Sequence, residues 1–285
     1  MTTYWVELLD CQTYLLRGRY RTRVIESGQG FPLLLLHGAG GHAENHARNI
    51  PVFAGHFRTI AMDFLWHGRS QSEGFEDEVL PPLVDQVRDV LDTLKLPRVH
   101  LEGQSLGGWV AMLFALKYPE RVEKLVLTTA TGYAPEEGSI PNFTQRVNTN
   151  LRPSLTFLDD PSDANIRERL RRVVFDPNII GEETVALRGK IYRDPAINRV
   201  QREFLHHYPN GPGPARHWII DAIARQITQP TLVYWGDKNQ PGPEVGRRLA
   251  SMIPHAQFHS EPLTGHWAQY EHHDQYNRIV LEFLS

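Results

Sequence analysis

Val99-His100-Leu101-Glu102-Gly103-Gln104-Ser105-Leu106-Gly107-Gly108-Trp109-Val110 is the stretch on which the fold turns. A short apolar run, Val99–Leu101, meets a Gly-x-Ser-x-Gly pentapeptide. Beyond it Trp109, Val110, Leu113, Phe114 and Leu116 recur near a 3.6-residue period until Tyr118 runs into Pro119. A strand that reverses into a helix within a residue or two leaves no room for side chains beside the serine, which accounts for the glycines at 103, 107 and 108. The same alternation continues in both directions. Further strand-sized runs are Leu33–Leu36, Thr59–Met62, Lys124–Thr128, Thr231–Trp235 and Ala256–Ser260, with helical stretches at Leu83–Leu94, Glu244–Met252 and Asp274–Leu284. This rhythm predicts an α/β protein with a mostly parallel, doubly wound sheet and crossover helices.

The rhythm breaks between Tyr133 and about Arg225. The segment is charged and divided by Pro161, Pro177, Pro195 and the stretch Pro209-Asn-Gly-Pro-Gly-Pro214. Its pattern predicts helices over Asp163–Val174, Glu182–Tyr192, Ala196–His207 and Arg216–Arg225. Helices inserted between two sheet strands predict a cap over residues 133–225, on a core of residues 1–132 and 226–285. Ligands of such sheets bind outside the carboxyl ends of the strands.

Composition narrows the function classes. With 30 basic and 33 acidic residues among 285, the net charge is −3, which argues against nucleic acid or an anionic membrane as partner. A small-molecule substrate is the expected partner, with a homodimer left open. The single cysteine, Cys11, excludes an internal disulfide, and the N-terminal stretch lacks a signal-peptide pattern; a cytoplasmic protein is expected. His42 and His46 stand four apart without a third ligand, and no Gly-x-Gly-x-x-Gly occurs, so neither a metal nor another cofactor is expected.

The strand–serine–helix context is that of a nucleophile elbow, with helix N–H groups directed at charge that develops beside Ser105. A serine hydroxyl needs a base, and His266, in Thr264-Gly265-His266-Trp267 just after the last strand, is placed to supply it. His37-Gly38-Ala39-Gly40-Gly41 follows the first parallel strand and offers a second oxyanion loop. The oxyanion donors are then the N–H groups of Leu106 and Ala39, with Gly38 and Gly40 beside the substrate.

The acid is the open question. It belongs after Thr231–Trp235, where the sequence reads Trp235-Gly236-Asp237-Lys238-Asn239-Gln240-Pro241. Asp237 is the only carboxylate of that turn and the first choice. Asn239 orienting the base without a charge is the second. Glu102, at an interior-strand position, is the third.

These segments, with Gly265-His266-Trp267-Ala268-Gln269-Tyr270-Glu271-His272, resemble the α/β-hydrolase superfamily, and most closely its meta-cleavage-product (carbon–carbon bond) hydrolases. The resemblance covers residues 25–132 and 228–285 and is weak through the cap. It implies an α/β-hydrolase fold and serine hydrolase chemistry, with a carboxylesterase or lactonase as the alternative. A cofactor-independent dioxygenase or a non-catalytic receptor are more distant ones. It places the acid in Trp-Gly-x-x-Asp, a position held here by Asn239. It further implies a carboxylate-binding cap arginine at a position matched by Lys190, with Arg188 nearby, an aromatic pocket wall at Trp267 and a pocket amide at Gln104.

Overall fold

The computed structural model describes residues 3–208 and 216–285; the Pro209–Pro214 stretch read as a separator lies outside them. Eight strands form one sheet: β1 Gln12–Arg17, β2 Arg21–Ser27, β3 Pro32–Leu36, β4 Arg58–Met62, β5 Val99–Gln104, β6 Val122–Thr128, β7 Thr231–Gly236 and β8 Ala256–Glu261. Their order is β1-β2-β4-β3-β5-β6-β7-β8, parallel from β4 through β8 and antiparallel where β2 meets β1 and β4. All six strands read from apolar runs are present.

The central strands are covered on both faces, so β3 and β7 read as continuous apolar runs rather than alternations. Leu34 and Leu36 of β3 join the core beneath the helices Leu80–Thr93 and Leu106–Lys117, whereas Leu33 and Leu35 pack with Phe53 and Tyr276 on the other face. That split follows from the two-residue period of a strand. The hairpin β1–β2 has no counterpart among the expected strands. Five of the six residues of the edge strand β1 lie at least partly exposed, and its apolar stretch is only Tyr14-Leu15-Leu16.

Between β6 and β7 the described residues form helices and no strand. Asp163–Arg171, Glu182–Tyr192 and Pro195–His207 stand close to their expected bounds, with Ser162 and Asp194 as side-chain N-caps. The expected helix over Arg216–Arg225 reduces to Asp221–Ala224. A long helix, Ile140–Asp159, has no counterpart among the expected helices. Where the segment leaves and rejoins the core, Tyr133 and Ile219 form a single parallel bridge, with Ala134 N–H donating to the Ile219 carbonyl at 3.0 Å.

Candidate active site

Ser105 is the one residue between β5 and the helix Leu106–Lys117. Its backbone is held at φ 55°, ψ −114°, a conformation that costs a residue with a side chain about 1–3 kcal/mol. Its N–H donates to the Thr128 carbonyl at 3.0 Å, and its carbonyl accepts from Trp109 and Thr131, each at 3.1 Å. The glycines are compulsory on steric grounds: a Cβ on Gly103 would sit 2.3 Å from the Gly107 carbonyl oxygen, and one on Gly107 would sit 2.3 Å from that of Leu36.

His266 shares the Ser105 cavity and is pinned through its backbone. Its N–H donates to the Val173 carbonyl at 2.9 Å. Its own carbonyl accepts from Gln104 Nε2 at 3.0 Å and Thr129 Oγ1 at 2.8 Å. Thr129 thus stands as a positioning residue that no sequence motif marks. Glu271 entered only through the family resemblance, yet its carboxylate accepts from the N–H groups of Gly265 (3.0 Å), Trp267 (3.2 Å) and Phe175 (2.6 Å). One carboxylate therefore ties the histidine loop to the cap. Burial pushes the Glu271 carboxyl up, against the pull of these N–H donors.

The partner of the His266 ring is Asn239: its Oδ1 lies 2.8 Å from Nδ1. This corrects the first choice, Asp237. The Asp237 carboxylate faces the other side of the turn, accepting from Thr264 N–H at 3.2 Å and pairing with Lys238 at 3.0 Å. The two residues are two apart in a tight turn, so they cannot both face the ring. Glu102 is corrected as well. It is buried behind the sheet, where Thr128 Oγ1 (2.8 Å), Tyr276 OH (2.9 Å) and His46 Nε2 (3.0 Å) surround its carboxylate. With no carboxylate beside it among the described residues, burial and the Arg169 guanidinium push the His266 ring down to about 4.

Serine and histidine open onto a cavity of about 540 Å³ between the sheet and the helices above it. Its walls include Phe143, Leu151, Phe157, Leu170, Trp218 and Trp267. Trp267 stacks on Tyr270 with ring centroids 4.2 Å apart. Gly38, Ala39 and Gly40 form one edge, and Gln104 borders it as expected. Leu106 turns its side chain into the core, leaving its N–H in the first helical turn, where no intrahelical acceptor exists.

Of the two cations expected beside the pocket, Arg188 lines the cavity and Lys190 does not. On the helix Glu182–Tyr192 the buried positions are Thr184, Val185, Arg188, Gly189, Ile191 and Tyr192, and Lys190 lies exposed on the opposite face. Arg188 reaches the Gly40 carbonyl, bonds Asn45 Oδ1 at 3.1 Å, and lies 6.0 Å from the Trp267 ring centre. Its Nε has no partner among the described residues. Arg169 joins it in the cavity wall, and burial with the nearby Arg188 charge pushes that guanidinium down to about 10. Arg146, Arg172 and Lys238 also border the cavity, and no Asp or Glu does so among the described residues.

Residues 33–279 match the model of the Alpha/beta hydrolase family. The chain belongs to that family. A relative of this α/β hydrolase from Comamonas testosteroni, a 2-hydroxy-6-oxononadienedioate/2-hydroxy-6-oxononatrienedioate hydrolase, is 31% identical, covering 93% of this chain and 92% of its own. A 2-hydroxy-6-oxo-6-phenylhexa-2,4-dienoate hydrolase from Burkholderia cepacia is 30% identical, with the same coverage. Among solved structures, the meta-cleavage product hydrolase of Pseudomonas fluorescens IP01 superposes on the hydrolase with a TM-score of 0.79 at 26% identity, covering 97% of this chain and 98% of that one. No helix among the described residues is long and apolar enough to cross a membrane.

Proposed function

We propose that this chain hydrolyses a carbon–carbon bond beside a ketone, in a conjugated dienol that carries a carboxylate, as do the relatives just named. One observation carries the reading. The apolar cavity that holds Ser105 and His266 presents the buried Arg188 guanidinium, with no carboxylate among the described residues of the cavity wall beside it. A substrate apolar along its length and acidic at one end fits that distribution. The guanidinium fork grips a carboxylate as an ammonium cannot.

The chemistry follows from the floor of the cavity. With the acid end on Arg188, the dienol is ketonised by proton transfer to carbon, for which His266 is the available base and acid. Ser105 Oγ then attacks the remote carbonyl while His266 takes its proton. The N–H groups of Leu106 and Ala39 receive the oxyanion, and each such donor is worth about 100- to 1000-fold in rate. The bond next to that carbonyl breaks, and its electron pair spreads into the dienolate, which is protonated and leaves. One water then releases the acyl group from Ser105 as a second acid. Residues 133–225 serve as the substrate-binding cap, and the lone cysteine is in keeping with a cytoplasmic setting.

A fluorophosphonate adduct mapped by mass spectrometry, followed by assay against ring-fission dienoates, p-nitrophenyl esters and lactones, tests this. Labelling at Ser105 with turnover of the dienoates far above the esters is expected. No adduct at Ser105 removes the nucleophile. Esters or lactones turned over faster than any dienoate remove the carbon–carbon assignment.

A further inference from the structure

Asn239 stands where the resemblance places the acid, and its surroundings are those of an amide. It is 2% exposed. While Oδ1 meets His266 Nδ1 at 2.8 Å, Nδ2 donates to the Pro241 carbonyl at 3.1 Å. That carbonyl also accepts from Trp235 Nε1 at 3.0 Å, which fixes its direction. A carboxylate at 239 would set its second oxygen against the Pro241 carbonyl oxygen, two acceptors with no proton between them. An amide satisfies both neighbours at once.

The consequence reaches the base. Because Nδ2 is engaged with Pro241, only Oδ1 is presented to the ring, and an acceptor there requires the ring proton on Nδ1. The lone pair is left on Nε2, the nitrogen a serine needs. We infer that Asn239 is the native third member of this site, a neutral positioning residue whose bond to Pro241 locks His266 in the Nδ1–H tautomer, and not the remnant of a lost acid. The Cys-His-Asn arrangement of papain-like proteases shows that an amide can fill this position in a working site. The charged group from the cap that bears on His266 is Arg169. Glu271 spends its carboxylate on backbone N–H groups, and Asp237 and Lys238 pair with each other in the same turn. With no anion beside the imidazolium among the described residues, a ring that resists protonation is the natural result.

The inference rests on the Ser105–His266 reading above, so its test needs a readout that does not depend on turnover. Nitrogen-15 NMR of the histidine rings in the resting full-length protein, with His266 assigned through His266→Gln, reports the tautomer directly. The rate of fluorophosphonate labelling measures base function without a natural substrate. The wild type is expected to show His266 protonated at Nδ1 from pH 8 to pH 5. In Asn239→Ala the ring should lose that single tautomer and labelling should slow about a hundredfold, still far short of the roughly 10⁴ lost where an amide imposes the wrong tautomer. Asn239→Asp, although it restores the usual residue, should label no faster than wild type. An Nε2–H ring in the wild type, an unchanged ring in Asn239→Ala, or labelling ten times faster in Asn239→Asp each overturns the inference. A wild type that shows the Nδ1–H ring yet fails to label at Ser105 supports the tautomer lock and overturns the nucleophile.

Discussion

The cavity has a floor and a roof of different character. The floor, at the carboxyl ends of β5, β6 and β7, is made of short neutral groups held by several hydrogen bonds each: Ser105, Gln104, Thr129, Asn239 and His266. The roof, from the helices Ile140–Asp159, Asp163–Arg171 and Glu182–Tyr192, brings apolar bulk and guanidinium charge. Bond-making needs groups placed within a few tenths of an ångström, and strand ends in a buried parallel sheet supply that placement. Recognition of a substrate's shape and charge tolerates looser placement, which helices over a cavity provide.

Substitutions and pH changes sharpen this contrast, or break it. Ser105→Ala strikes the floor and should lower kcat by at least about 10⁴ while leaving substrate affinity nearly intact, as single-turnover binding would show. Acid strikes the floor through His266 and the core through two further rings. Burial holds the rings of His67, His100 and His266 near 4, below the ordinary 6.5. Between those values the unfolded chain binds more protons than the folded one, so stability is complete above pH 6.5 and drains as pH falls toward 4. At most roughly 3 kcal/mol per ring is at stake. Thermal melts from pH 7.5 to 4.5 should show a steady fall, and a flat Tm would count against buried neutral rings. The roof responds otherwise: Arg188→Met should raise KM about 10- to 100-fold with a smaller effect on kcat, because a charge-assisted hydrogen bond to the substrate is worth about 1.5–3 kcal/mol. Equal losses in KM and kcat would mean that Arg188 takes part in the chemistry as well.

At the seam, Glu271→Gln leaves one acceptor oxygen for the three N–H groups that a carboxylate now serves. A stability loss of about 1–3 kcal/mol in denaturant melts is expected. Lowered kcat with unchanged KM would accompany it if the clamp serves His266 more than the cap. Lys190→Ala, on the outer face of the roof, should change KM by less than about twofold, in line with the small worth of exposed charges.

The floor was legible in the sequence because its constraints are local. A serine between two compulsory glycines, where a strand run meets a helical period, fits little besides a sharp strand-to-helix reversal, and His266 follows the last strand as the fold's chain order requires. The third member was not legible, since whether Asp237 or Asn239 faces the ring depends on one turn's backbone path and on a carbonyl two residues further on. The roof was legible only in outline. The period of Glu182–Tyr192 placed the helix, yet choosing Arg188 over Lys190 required knowing which face looks inward, and with an apolar residue on nearly every face the pattern did not say. Glu271 was hidden for a different reason: its ligands are backbone N–H groups, which have no signature in side-chain identity.

The Arg188 guanidinium in the cavity wall governs departure as well as arrival. If both fragments of the cleaved substrate leave as acids, the Arg188 guanidinium that captured the parent molecule attracts them as well. Turnover is then paced by the exit of spent fragments, and added salt, by screening that charge, should relieve product inhibition as it weakens capture.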